Sequence, residues 1–347
     1  MTDQGNSGKK KMPGVLWIGG GILLILILLI VFVFLPQKRQ ADALALAETS
    51  AAFETQSVIT GIANRTSTAA AWTKTPTPSA TFTPTNTNTP TITPTITPTL
   101  GIGSTRVRES DGMVQVYVPE GEFTMGDDYA WPHVKPQHVV YLDGFWIDQT
   151  EMTNARYLRC VNDGACDPPF LSDSFTKKDY FGNPKYDDFP VVYMSWENAK
   201  QYCLWVGADL PTEAQWEKAA RSDDKRTYPW GNQVFERKYA NADDMRGDTK
   251  KVGSYPLGAS PYGALDMAGN VYEWVNDFFA YRYYAESPYR NPQGPTEFSE
   301  YEIDVHILRG GAWDTGIGGI VTYQHSAVWP DHFLATNYYG FRCANNE

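Results

Sequence analysis

Four cysteines are the most reactive side chains of this 347-residue chain: Cys160, Cys166, Cys203 and Cys343. An even number of cysteines is compatible with disulfides if the domain lies outside the cytoplasm. Cys160 and Cys166 flank Asp163-Gly164, which turns easily, so a local disulfide between them is sterically feasible. The alternative, a metal-binding pair, has no further ligand nearby in the sequence.

Oxygen-donor side chains are dense in two segments without regular periodicity, Asn241–Asp244 with Asp248 beyond it, and Asp266–Trp274. Hard cations take carboxylates, amide oxygens and backbone carbonyls from flexible loops. Neither segment is an EF-hand, but both fit that chemistry. The sequence therefore makes both of them candidate calcium sites.

Two glutamates one helical turn apart, Glu213 and Glu217, have the spacing of an acid pair. Thr212 and Gln215 have capping-box spacing, which predicts that a helix starts there with Trp216 facing the core. For the two glutamates, a solvated helix face is the favoured interpretation.

The histidines are scattered along the chain: His133, His138, His306, His325 and His332. A metal triad of His325, Asp331 and His332 has no support from a spacing pattern. A satisfied loop histidine is therefore the favoured interpretation of each.

Charge is distributed unevenly along the chain, whose formal net charge is −11. Residues 1–111 carry 9 basic and 6 acidic side chains, whereas the remainder carries 20 basic and 34 acidic ones. Nucleic-acid binding needs clustered Lys and Arg, so the acidic part is a poor candidate for that function. The acidity fits cation binding, but general solubility explains it as well.

The elements that must position these residues belong to an aromatic-rich and loop-rich domain. Strands are predicted at Met113–Pro119, Gly121–Gly126, Val139–Leu142 and Phe145–Ile147. Thr153 can cap a helix that extends to Val161, and Ser195 can begin a second helix with an apolar face.

An anchor and a spacer precede this domain. Residues 1–14 contain three consecutive lysines, and 15–35 form an uncharged apolar run that would span about 31 Å as a helix. This run predicts a single-pass membrane helix with a cytoplasmic N-terminus and an extracytoplasmic C-terminal domain. A cleaved signal peptide is the alternative, but its apolar region would be shorter.

The region after the membrane run divides by composition into two segments. Residues 36–72 are an Ala-rich juxtamembrane segment, and 73–111 are a Thr/Pro-rich stalk. Recurrent proline excludes helix and favours an extended, disordered spacer, which O-glycans can also decorate. The globular domain is predicted to occupy 112–347.

Seven spaced motifs occur in one order within this domain: Gly121–Gly126, Glu151–Asn154, Pro190–Trp196, Leu210–Glu217, Gly269–Trp274, Arg309–Trp313 and Gly340–Cys343. Together they resemble the formylglycine-generating enzyme, or sulfatase-modifying factor, family. The resemblance covers roughly residues 112–345. It implies an α+β, C-type-lectin-like fold with many loops.

The resemblance also implies a disulfide between Cys203 and Cys343 and calcium as a structural ion. In the better-matched calcium site the ligands would be the side chains of Asp266 and Glu273 and the carbonyls of Gly269 and Val271. The other site would use Asn241, the Ala242 carbonyl and Asp248.

Active members of the family oxidise a sulfatase cysteine to formylglycine with a pair of copper(I)-binding cysteines. Two soft thiolates suit copper(I). In this chain Ala312 replaces the serine of the motif, and the cysteine positions fall on Thr315 and on or near Ile320. Copper-dependent oxidation by this site is therefore not expected.

The region that holds the copper-binding cysteines in active family members is rich in aromatic and polar residues in this chain. Such residues suit the binding of a peptide or a sugar. The residues predicted to bind a ligand there are Trp313, Asp314, Tyr323, His325 and Trp329; simple core packing is the alternative for the aromatic ones. The sequence thus predicts a non-oxidase module that binds or scaffolds an extracytoplasmic peptide, protein or glycan. The alternative is a sulfatase-modifying oxidoreductase with a divergent mechanism.

Overall fold

Three β-sheets and four α-helices form the part of the chain that the structure describes. A computed structural model describes residues 100–295, 305–328 and 336–346. These residues belong to the second of two compact units, 93–347. The segments predicted at 1–14, 15–35 and 36–72, and most of the stalk, lie outside the described residues. Within the described ranges, no helix has the length and apolar character needed to cross a bilayer.

Ten short strands carry most of the regular structure. In chain order they are β1 Thr105–Val107, β2 Val114–Val118, β3 Gly121–Met125, β4 His138–Leu142, β5 Phe145–Asp148, β6 Tyr272–Phe278, β7 His306–Arg309, β8 His325–Val328, β9 Tyr339–Phe341 and β10 Ala344–Asn346. The four strands predicted between residues 113 and 147 are confirmed as β2 to β5.

The strands pair into two four-stranded sheets and a hairpin. The first sheet has the antiparallel order β1-β2-β5-β10, β3 and β4 form the hairpin, and the second sheet has the order β8-β7-β6-β9. The β6–β9 pair is parallel and aligns Glu273 with Gly340. This pairing brings the closing Gly340–Cys343 motif against the Gly269–Trp274 motif.

The four helices are α1 Asn154–Asn162, α2 Trp196–Trp205, α3 Glu213–Arg221 and α4 Tyr283–Glu286. The three helix starts predicted from capping are confirmed, because a side-chain oxygen of Thr153, Ser195 or Thr212 accepts a backbone N–H in the first turn of each. Thr212 and Gln215 form the predicted capping box. The α+β, loop-rich class is therefore confirmed.

Two main apolar clusters hold the elements together. One packs α3, through Trp216, against strands β2 to β5. The other packs α1 and α2 against Trp274, Phe341 and the disulfide cysteines. Helix α3 is nearly enclosed, which determines the environment of its polar side chains.

The folded part begins before residue 112, where the sequence placed its start. Strand β1 pairs with β2, and the Arg108 guanidinium donates to Asp148 at 2.7 Å and to Asp111 at 2.6 Å. The Thr/Pro composition ends at Leu100 and carries no signal for this buried ion pair, so composition alone does not mark where the described fold begins.

Candidate functional site

A cavity of about 520 Å3 lies against the second sheet. Its walls are mainly aromatic, and its polar groups come largely from consecutive positions at the start of β8. The lining residues are Trp131, His133, Tyr272, Phe279, Leu308, Gln324, His325, Ser326, Ala327, Val328, Tyr338 and Tyr339. The size and the lining are those of a small-molecule site.

A carboxylate–imidazole pair lies at the floor of this cavity. The Nδ1 atom of His325 contacts Glu213 Oε1, and Arg309 Nη1 donates to the same oxygen at 3.2 Å. Burial alone would raise the pKa of the Glu213 carboxyl, but His325 and Arg309 together hold that pKa below its usual value. Glu213 is therefore ionised and orients the imidazole ring.

The Nε2 edge of the His325 ring is buried and has no hydrogen-bond partner within the described residues. His325 as a whole is 5% exposed. The ring of His133 stacks on it with centroids 4.7 Å apart, and burial, followed by the charge of His325, lowers the pKa of His133 to about 4. The Gln324 amide nitrogen lies 3.2 Å from His133 Nε2, so three polar side chains share this end of the cavity.

The solvated-face interpretation of Glu213 and Glu217 is wrong, because both carboxylates are buried. Arg309 Nη2 donates to Glu217 at 2.8 Å, and Arg221 Nη1 donates to the same side chain at 2.9 Å. Buried carboxylates need such partners. The Arg309 contact comes from 92 residues further along the chain, so the local i, i+4 spacing could not reveal it.

The ligand-binding residues predicted from sequence are not brought together at one place. Among the four of them that the structure describes, only His325 lines the cavity. Trp313 is buried and stacks on Phe175 with centroids 5.1 Å apart, and Tyr323 packs under the Arg221 guanidinium. Burial raises the pKa of the half-buried Asp314 carboxyl, and Trp329 lies outside the described residues.

All four cysteines are paired. Cys160 bonds to Cys166 and Cys203 bonds to Cys343, with Cα atoms 5.3 and 5.5 Å apart. No free cysteine remains among the four of the sequence. Both predicted disulfides are confirmed.

Residues 103–347 match the family model described as "Sulfatase-modifying factor enzyme 1-like domain". The chain belongs to this family. Relatives with several different names share the sulfatase-modifying factor domain. A serine/threonine-protein kinase pkn1 of Chlamydia caviae is 34% identical over 66% of this chain, and a formylglycine-generating enzyme of Streptomyces coelicolor is 31% identical over 70% of it.

Coverage of these relatives differs. This chain matches 37% of the length of the Chlamydia caviae protein but 92% of the Streptomyces coelicolor one. A hercynine oxygenase of Mycolicibacterium smegmatis is 32% identical over 58% of this chain and 55% of its own length. Among solved structures, PvdO from Pseudomonas aeruginosa superposes with a TM-score of 0.57 and 25% identity, covering 72% of this chain and all of that one.

The copper positions of the sulfatase-modifying factor family hold no thiol here. The Thr315 hydroxyl accepts the Ala312 N–H at 2.9 Å and donates to the Tyr272 hydroxyl at 3.3 Å. Ile320 is buried in an apolar cluster. Since Tyr272 lines the cavity, Thr315 lies just behind the cavity wall and has a structural role.

The better-matched calcium site offers a mixed set of carboxylate and carbonyl oxygens. Asp266 and Glu273 are buried with Glu151, and Glu273 already accepts hydrogen bonds from Arg342 Nε at 2.6 Å and Trp216 Nε1 at 2.7 Å. Burial raises the pKa of Asp266 to about 6. The Gly269 and Val271 carbonyls accept no hydrogen bond within the described residues. Calcium held by these carbonyls and carboxylates would balance the charge of the carboxylate cluster.

The other expected calcium site does not fit. The Asp248 carboxylate accepts hydrogen bonds from Ser174 and Thr176 at 2.7 Å each, and Lys177 Nζ lies 3.0 Å from it. The Asn241 amide donates to the Asp248 carbonyl, and Ala242 is buried beside it. Hydrogen-bond donors of the chain itself thus surround the Asp248 carboxylate. Across the described ranges, no set of three or more His, Cys, Asp or Glu side chains is arranged to hold a metal.

Proposed function

We propose that this chain is a non-oxidase member of the sulfatase-modifying factor family that binds a ligand outside the cell. The observation that carries the proposal is the pairing of all four cysteines, which leaves no thiolate for copper(I). The aromatic cavity supports a binding role, because its lining provides apolar walls and a few convergent polar groups.

The setting of this module follows from the N-terminal third of the sequence. The apolar run at 15–35 would anchor it in the cell membrane as a single pass, and the Thr/Pro stalk would hold a C-type-lectin-like domain away from the surface. Structural disulfides suit an oxidising, extracytoplasmic compartment. The ligand would then be an extracytoplasmic peptide, protein or glycan.

Copper(I) binding and turnover of a cysteine-containing sulfatase peptide by the purified full-length chain test the loss of oxidase activity. We expect neither binding at stoichiometric level nor formylglycine formation. A formylglycine product in the peptide would overturn the proposal. The formylglycine-generating enzyme of Streptomyces coelicolor is the positive control.

A second candidate function is an enzyme of divergent mechanism. The Glu213–His325 pair favours it, because a carboxylate that orients an imidazole is the arrangement of a general base. Within the described residues, no serine, threonine or cysteine side chain is hydrogen-bonded to the His325 imidazole, so binding is the function that the geometry supports better.

Calcium would stabilise the fold at the Asp266 site. Chelator should lower the melting temperature of the native chain, and Asp266→Ala should remove that response. Asp248→Asn is the matched control, because the Asp248 carboxylate already pairs with Lys177. The melting temperature of this variant should still fall in chelator. An unchanged melting temperature of the native chain in chelator would rule out the ion.

A further inference from the structure

We propose that the Glu213–His325 pair is the polar anchor of the aromatic cavity and that it binds a hydroxyl group of a neutral sugar. The proposal rests on the binding function proposed above and names the ligand class of that site. Its starting point is the buried and unpartnered Nε2 atom of His325, a residue that lines the cavity.

The orientation of the imidazole is fixed by its inner edge. His325 Nδ1 contacts an ionised Glu213, which Arg309 also holds, so Nδ1 carries the proton. The Nε2 edge has no protein partner in the described ranges. A buried polar atom without a partner is unfavourable, and a bound polar group can remove that cost.

A hydroxyl group fits this position better than a carbonyl. Nε2 accepts a hydrogen bond when the imidazole is neutral and donates one when it is protonated. A hydroxyl can take either role, whereas a peptide carbonyl only accepts. A hydroxyl group can therefore pair with Nε2 whichever hydrogen-bonding role that atom takes.

The other residues that line the cavity favour an uncharged sugar ring. Among the described residues that line the cavity there is no carboxylate, ammonium or guanidinium group. Tyr272, Tyr338 and Tyr339 form apolar walls, and Trp131, which is 66% exposed, stands at the rim. Aromatic faces pack against the C–H faces of a pyranose, while Gln324 and Ser326 add hydrogen-bonding groups for further hydroxyls.

Titration of the full-length chain with neutral disaccharides (maltose, lactose, mannobiose and chitobiose) tests the ligand class, with tryptophan fluorescence and calorimetry as readouts. We expect saturable binding of at least one of them. His325→Phe should weaken that binding by about tenfold, which corresponds to one lost hydrogen bond. Trp131→Ala should weaken it by a similar factor.

His306→Phe is the matched control, because His306 is also buried and ring-stacked but does not line the cavity. It should bind sugar like the native chain, and circular dichroism should show the same fold for all variants. Unchanged sugar affinity in His325→Phe would overturn the assignment of His325 as the polar anchor.

An uncharged tyrosine-containing peptide separates this inference from the proposed function. Binding of the peptide without binding of any sugar would overturn the sugar assignment and leave a ligand-binding module. Binding of neither probe would overturn the sugar assignment as well. The proposed function itself would fall only if the chain turned over the sulfatase peptide.

Discussion

Two buried arginine clusters, built from motifs near the end of the chain, differ in how completely their hydrogen bonds are satisfied. At the first, every nitrogen of Arg342 is used: Nε and Nη2 donate to Glu273 at 2.6 and 2.7 Å. The other donations go to the carbonyls of Asp148, Gln149 and Leu265. This cluster ties the residue that follows β9 to β5 and β6.

The second cluster is open. Arg309 donates to Glu213, Glu217 and the Thr322 carbonyl, but its Nε atom and His325 Nε2 have no partner within the described residues. His325 lines the cavity. The comparison assigns the Arg342 cluster to the fold and supports the proposal that the Arg309 cluster serves binding.

The largest loss of stability is expected when the arginine of the Arg342 cluster is replaced. Arg342→Met leaves the Glu273 carboxylate buried without its cation, so it should lower the free energy of unfolding by about 3 to 5 kcal/mol. Urea denaturation measures the loss. Arg237→Met is the control, because the Arg237–Asp244 pair is exposed, and it should change stability by less than about 1 kcal/mol. Equal effects of the two substitutions would contradict the assignment.

A smaller effect is expected at the open cluster. Glu213→Gln removes one charge, but Arg309 keeps Glu217 as its partner, so the expected loss is about 1 to 2 kcal/mol. The exposed Glu236→Gln should be neutral in the same denaturation experiment. A loss at Glu213 as large as that at Arg342 would remove the distinction between the clusters.

The smallest expected effect is a change in the pH dependence of the free energy of unfolding. It concerns a histidine outside the cavity and is measured as the difference between a variant and the native chain. Burial lowers the pKa of His306 to about 4, from the value of about 6.5 in an unfolded chain. Between these values the unfolded state binds more protons, so this group reduces stability as pH falls through that window. His306→Phe should therefore gain about 1 kcal/mol relative to the native chain between pH 7.5 and pH 5.8.

The difference between variant and native chain is the quantity to measure, because other groups act in the opposite direction. Burial raises the pKa of Glu151 and of Asp277 well above the usual value, so both carboxyls favour the folded state as pH falls. These contributions cancel in the comparison. A stability difference that is the same at both pH values would contradict the role assigned to His306.

Local features of the fold could be predicted from the sequence, and long-range contacts could not. Caps at Thr153, Ser195 and Thr212 act within one helical turn, so residue type and spacing are sufficient to predict them. The disulfide Cys203–Cys343, which joins residues 140 apart, came from the family resemblance and not from spacing.

The candidate site was predicted only in part for the same reason. Glu213 meets His325 from 112 residues away, and no periodicity in the sequence encodes that contact. Trp313 was predicted to line the pocket because it is aromatic and lies close in sequence to the position of the missing copper-binding cysteine. It is instead buried beneath Phe175, so the aromatic walls come from other residues.

Thiol alkylation of the intact chain under denaturing, non-reducing conditions tests most directly whether the cysteines serve the fold and not oxidation chemistry. Mass spectrometry should find no adduct before reduction and four after it, because all four cysteines are in disulfides. Two adducts before reduction would show a free thiol pair and would contradict the account.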